Sequence, residues 1–357
     1  MHKKIKVLVC DDSALIRKIL GTFIQSADDM EFLGTAEDPF DAREKIKRLN
    51  PDVLTLDIEM PKMDGLTFLE KIMTLRPMPV IMVSTLTQQG ASATLQALET
   101  GAFDYLGKPN ATLTGAGLDG FREELLHKIR VAAQSRMVER HQLRQTAAPI
   151  SLNYRPPAAS HVDIIAFGAS TGGVEALRET FTRLPAGLPP IVITQHMPRA
   201  FTESFAKRLD SVSAVQVSQA EHGERLQPGH GYLAPGGSHL SVVRKGGLYY
   251  ADVREGEAVS GHCPSVDVLF GSVAETAGSR SIGAIFTGMG RDGAQGLLAM
   301  REAGAFTLGQ NEATCVVYGM PKAAFQLGGV IEQQPLSHIA ARVVAVCQQK
   351  EAAHERA

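Results

Sequence analysis

No apolar run in this sequence approaches the roughly 18 residues that carry a helix across a membrane, so no membrane-inserted segment is expected. An excess of one charge is also missing. With 36 Lys and Arg against 38 Asp and Glu, the formal net charge is -2, which gives the chain no overall pull toward nucleic acid or anionic lipid. Cysteine is confined to Cys10, Cys263, Cys315 and Cys347, with no CxxC pair, and this points to reduced thiols in a cytosolic setting. His222, His230, His239 and His262 lack the spacing of metal ligands and read as surface or structural residues. The amino terminus lacks the pattern of a signal peptide, because one short apolar run is followed at once by acidic residues. The expectation is a cytoplasmic protein.

What is present is an ordinary globular composition, 44% hydrophobic and 21% charged, over 357 residues, enough for two domains that each bury a core. Residues 1–133 alternate apolar runs with helical periodicity: strands at 5–9, 32–36, 53–56, 80–83 and 103–106, helices at 16–24, 41–49, 65–75, 91–100 and 121–133. Five such units imply a parallel sheet covered by helices on both faces, a flavodoxin-like α/β fold. In the strand order 2-1-3-4-5 the first and third strands are neighbours, so Asp11, Asp12 and Asp57 converge at the carboxyl edge where ligands bind. Crowded carboxylates repel unless a hard divalent cation lies between them. Alone, Asp11-Asp12 reads more simply as a helix N-cap. Ser84 ends the fourth strand and Lys108-Pro109 the fifth, adding a hydroxyl and an ammonium suited to phosphoryl oxygens. This set resembles a two-component response-regulator receiver. The resemblance implies that Asp57 is the phosphoryl acceptor, with a histidine kinase as phosphodonor. It implies Mg2+ held by Asp11, Asp12, Asp57 and a backbone carbonyl near Glu59, with Ser84 and Lys108 reading the phosphoryl group and Tyr105 as the switching aromatic.

Periodicity stops over 134–160, where Arg136, Arg140, Arg144 and Arg155 mix with Pro149, Pro156 and Pro157, as in an interdomain linker. Residues 161–350 read as a second, mainly parallel, doubly wound α/β domain with a β-hairpin across Gly246-Gly247, followed by a polar tail at 351–357. Its focus is VDIIAFGASTGG (162–173), an apolar strand that runs into Ser170 and then a helix. Unpaired amides and the positive end of the dipole at that helix start favour negative charge. Three readings compete: a nucleophile elbow, a dinucleotide cradle or a tight turn without chemistry. The cradle expects an acidic residue closing the second strand, and here that strand, 191–194, ends in Gln195-His196. Ser170, His196 and Asp292 all fall at strand ends. A serine hydroxyl is a poor nucleophile until an imidazole takes its proton, and the imidazole needs a carboxylate to fix its tautomer. Singly, His196 reads as a structural histidine and Asp292 as a turn residue beside Gly293.

GASTGG (168–173), QHMP (195–198), LAPGG (233–237), HCPSVDVLF (262–270) and TGMGRDGAQG (287–296) together resemble the chemotaxis protein-glutamate methylesterases, the CheB family, and with the receiver the resemblance covers nearly the whole chain. It implies a Ser170, His196, Asp292 triad, with the Met289 amide as oxyanion donor and Thr171 assisting, and no cofactor for the esterase. The implied substrates are methylated chemoreceptor helices in the cytoplasm, with glutamine deamidation as a second reaction at the same kind of carbonyl. A phosphorylation-switched binding module that docks on receptors without chemistry is the competing class.

Overall fold

A computed structural model describes residues 3–85, 87–108, 116–135, 154 and 161–349. The chain divides into two compact units, Met1–Thr146 and Ala147–Ala357. Most of the expected linker, with all its arginines and prolines, lies outside the described residues, as do Pro109 and the 351–357 tail.

The first unit runs β1 (Ile5–Cys10), α1 (Ala14–Gln25), β2 (Met30–Ala36), α2 (Pro39–Leu49), β3 (Val53–Asp57), α3 (Gly65–Leu75), β4 (Val80–Ser84), α4 (Gln88–Thr100), β5 (Asp104–Gly107) and α5 (Ala116–Gln134). The sheet is parallel with the expected order β2-β1-β3-β4-β5. Local sequence sets the helix ends. Asp38 caps α2 by accepting from the Phe40 and Asp41 amides, and Asn50 stops it in the left-handed region at φ 49°. Helix α4 starts three residues before the expected Ala91 because the Thr87 hydroxyl caps the Gly90 amide at 3.0 Å. The α1 cap is Ser13, so Asp11 and Asp12 are left for other work.

The second unit contains β6 (Ile164–Ala169), α6 (Gly173–Phe181), β7 (Ile191–Gln195), α7 (Arg199–Val212), β8 (Gln216–Gln219), β9 (His230–Leu233), the hairpin β10 (Ser238–Lys245) and β11 (Leu248–Glu255), and α8 (Val266–Thr276). It continues with β12 (Ser281–Ile285), α9 (Ala294–Glu302), β13 (Phe306–Gln310), α10 (Met320–Gln326), β14 (Glu332–Gln334) and α11 (Leu336–Gln348). A seven-stranded parallel sheet has the order β14-β13-β12-β6-β7-β9-β8, and β10 pairs antiparallel with β11 apart from it. Strand β6 is buried along its whole length, and the Phe167 ring packs edge-on against Phe181 and Phe286 with centroids 6.1 and 5.3 Å away. A fully buried phenylalanine contributes about 1.5–3 kcal/mol of transfer free energy, so this strand anchors the core. The order reverses between β6 and β12, and such a switch point opens a crevice at the carboxyl ends of the strands.

Two strands were not anticipated from sequence. The four-residue β9 starts at a histidine and the three-residue β14 is polar throughout, so neither shows an apolar run. Their hydrogen bonds to β7, β8 and β13 define them.

Candidate active site

Strands β6 and β7 pair in register up to Ala169 and Gln195, so the next residue on each, Ser170 and His196, leaves the same sheet edge side by side. The His196 amide donates to the Ala169 carbonyl at 3.1 Å and locks the two strand ends together. Gln195 adds a second tie, its side-chain amide donating to the Ser170 and His196 carbonyls at 3.0 and 3.1 Å. On the other side of β6, strand β12 leads through Phe286 into the turn that carries Asp292.

The glycines of the serine turn serve protein packing. A Cβ on Gly172, which sits at φ +77°, would collide with Val316, and one on Gly173 with the Gln195 side chain. The space a dinucleotide cradle would keep open is filled by side chains, which removes that reading. Gly288 presses on the site from the β12 side: a Cβ there would lie 2.8 Å from the Ser170 Cβ and would collide with Met320. Next to it, the Met289 amide donates to no acceptor among the described residues.

The three residues meet. His196 Nδ1 lies 3.1 Å from Ser170 Oγ, and Nε2 lies 2.7 Å from Asp292 Oδ2. The His196 side chain is 7% exposed and that of Asp292 1%. Burial alone would raise the Asp292 pKa. The His196 hydrogen bond and charge, the Ser265 hydroxyl at 2.7 Å and the Val266 amide at 2.7 Å outweigh it and hold the carboxyl at about 2. The Asp267 amide adds a longer contact at 3.1 Å. Those amides belong to the start of α8, capped by Ser265, so the carboxylate sits at the positive end of a helix dipole. An ionised Asp292 only accepts, which places the ring proton on Nε2 and leaves Nδ1 as the acceptor facing the serine hydroxyl.

Sequence reasoning missed three parts of this arrangement. Gln195 and Ser265 support the triad, and Ser265 carried a legible signal as an N-cap residue ahead of an apolar helix. His262, assigned to the surface or structural histidines, instead stacks on His196 with ring centroids 3.6 Å apart and planes 13° from parallel. Burial and the charge of His196 push its pKa down to about 4. The other three fit that assignment: His222 lies 3.2 Å from Asp252, His230 bonds Ser218, and His239 bonds the Ser265 amide and the Glu257 carbonyl.

In the first unit, Asp11, Asp12 and Asp57 each present a carboxylate oxygen, all within 4.8 Å of one another. The Lys108 ammonium lies 2.7 Å from Asp57 Oδ2 and 3.2 Å from Asp11 Oδ2. Burial, reinforced by the Asp11 charge, raises the Asp57 pKa to about 6 in spite of Lys108. Asp11 Oδ2 is buried with the Lys108 ammonium as its ion-pair partner, and the all-oxygen donor set of Asp11, Asp12 and Asp57 fits a hard divalent cation. The Glu59 side chain is exposed and outside the cluster, while its amide donates to Asp57 Oδ1 at 3.3 Å. Ser84 is buried at the end of β4 and Tyr105 within β5, and the Lys108 amide donates to the Ser84 carbonyl at 2.7 Å.

Fold and site together define a class: a response-regulator receiver joined to a doubly wound α/β unit that carries a serine, histidine and aspartate in hydrogen-bonded series. Residues 7–114 match the response regulator receiver domain and residues 165–343 the CheB methylesterase. The chain is 52% identical to protein-glutamate methylesterase/protein-glutamine glutaminase 2 of Cupriavidus pinatubonensis, over 96% of each chain. It is 51% identical to the Escherichia coli protein-glutamate methylesterase/protein-glutamine glutaminase, over 96% of this chain and 97% of that one. The crystal structure of the Thermotoga maritima CheB methylesterase catalytic domain is similar to 52% of this chain and 98% of its own, at 35% identity and a TM-score of 0.51. The chain belongs to the CheB protein-glutamate methylesterase family. Among the described residues, no helix is long and apolar enough to cross a membrane.

Proposed function

We propose that this chain hydrolyses glutamyl γ-methyl esters on the cytoplasmic helices of chemoreceptors, releasing methanol, and deamidates receptor glutamines at the same site. The observation that carries the reading is the series Ser170 Oγ, His196 Nδ1, His196 Nε2, Asp292 Oδ2, with its two contacts of 3.1 and 2.7 Å. Ser170 Oγ attacks the ester carbonyl as its proton passes to Nδ1. The oxyanion is held by the Met289 amide, with Thr171 at the start of the serine turn assisting. Nδ1 then returns the proton to the departing methoxide, giving methanol and an acyl-serine. Water gives a proton to Nδ1 and attacks the acyl carbon, and the serine leaves with that proton as glutamate is released. With a glutamine, ammonia takes the place of methanol. Asp292 stays ionised throughout and balances the charge on the ring.

In the receiver, residues 1–133, Asp57 takes the phosphoryl group from a histidine kinase. Asp11, Asp12, Asp57 and a backbone carbonyl near Glu59 would hold Mg2+, which when bound neutralises phosphoryl charge. Lys108 and Ser84 grip the phosphoryl oxygens, and Tyr105 responds to them. Residues 134–160 connect this unit to the catalytic domain at 161–350, and the protein works in the cytoplasm. The test is methanol release from methylated receptor. Ser170→Ala and His196→Ala should each remove nearly all of it, and the double variant should be barely slower than either, because the two act as a unit. Wild-type methanol release by a folded Ser170→Ala protein would overturn the assignment.

A further inference from the structure

Two hydrogen bonds from opposite edges of one imidazole fix a line but not a plane. With Ser170 at Nδ1 and Asp292 at Nε2, the His196 ring could still rock about the axis joining them, and rocking swings the Nδ1 lone pair off the serine proton. The Cβ–Cγ bond limits that motion, and a contact on the ring's face limits it further. His262 supplies one, its ring lying flat against His196 at 3.6 Å and 13°. Its own backbone is held in place, since Val259 and His262 exchange both amide-to-carbonyl hydrogen bonds at 3.0 Å. The turn between them uses Ser260 and Gly261 at φ +55° and +83°. The same short segment then provides Ser265 and the α8 amides that surround Asp292.

We propose that His262 is a positioning residue for the reaction, a flat platform that keeps the His196 ring in the plane where it meets both Ser170 and Asp292. The role rests on the reading of His196 as the base. The groups facing His262 are His196 and Asp292, and with its pKa near 4 the platform is uncharged at neutral pH. It therefore offers a π face, without repulsion, to the imidazolium that forms during each turnover.

The experiment compares full-length wild type with His262→Ala, His262→Leu and His262→Phe. Leu fills the volume without a flat face, and Phe restores the face without a titrating group. Methanol release from methylated receptor should show kcat lowered about 10- to 100-fold in Ala and Leu with KM within about twofold, and Phe recovering to within about threefold of wild type. A second readout needs no substrate. The Nε2 proton of His196, hydrogen-bonded to Asp292, should give a slowly exchanging NMR resonance in wild type and Phe that broadens in Ala and Leu. A folded Leu variant with wild-type kcat and a sharp resonance overturns the proposal, as does a Phe variant no better than Ala. Wild type releasing no methanol would sink the proposed function itself, and the ring resonance would still decide whether the stack orders His196.

Discussion

His262 also connects the site to the stability of its fold. Its pKa falls from the ordinary 6.5 to about 4 on folding, through burial first and then the charge of His196. Between those values the unfolded chain binds the proton and the folded chain does not, so protons favour unfolding. The stability contributed by an uncharged His262 is complete above 6.5 and is lost as pH falls from there toward 4. From about pH 8 to about pH 5 the loss amounts to about 2 kcal/mol. His262→Phe should remove this component, so its urea midpoint should fall less than that of wild type over the same interval. Parallel loss in the two proteins would show that the imidazole is charged in the folded state. Ser170 and His196 were legible in the sequence because each is the polar residue that follows an apolar strand, whereas Asp292, expected at a strand end, sits in the turn between β12 and α9. His262 was not legible, because nothing in HCPSVD says which ring it faces.

Among the elements, the start of α8 carries the largest share of the support. Ser265 is fully buried and acts twice, donating to Asp292 Oδ1 at 2.7 Å and accepting from the Val268 amide at 3.4 Å as the helix cap. Ser265→Ala should cost about 1–2 kcal/mol through the lost cap. It should also lower kcat several-fold with KM little changed, because Asp292 loses a donor while its bond to His196 remains. Urea denaturation and methanol release measure the two effects separately, and unchanged kcat in a destabilised protein would reduce Ser265 to a cap. Beneath α8, a Cβ on Gly168 would collide with Val266, so this glycine is required by contact between sheet and helix. The motif GxSxG was readable as a turn, but only the packing explains its first glycine.

For the whole molecule, the order of units predicts that phosphorylation of the receiver governs the esterase. A small phosphodonor with Mg2+ should raise methanol release by the wild-type chain. Asp57→Asn should hold the basal rate with or without the donor. A donor response in Asp57→Asn would place the acceptor elsewhere, and initial rates on one methylated receptor decide it. Removing Mg2+ by chelation should abolish the response and leave basal methanol release unchanged, since the proposed esterase steps use groups of the catalytic domain and water alone.

Sequence periodicity alone determined the two α/β units and the strand-end positions of Asp57, Ser170 and His196, because burial in a parallel sheet demands apolar runs and leaves polar residues at their ends; the receiver strand order came from the resemblance to a known fold. Tertiary structure decided the rest. Strands β9 and β14 exist through hydrogen bonds to distant partners and carry no pattern of their own. The low pKa of Asp292 comes from the His196 ring and from donors at the start of α8, and the His196 plane from a ring on another turn. Contacts of this kind join residues far apart in the chain, and the local pattern records only that each residue is apolar or polar, never which other residue it will meet.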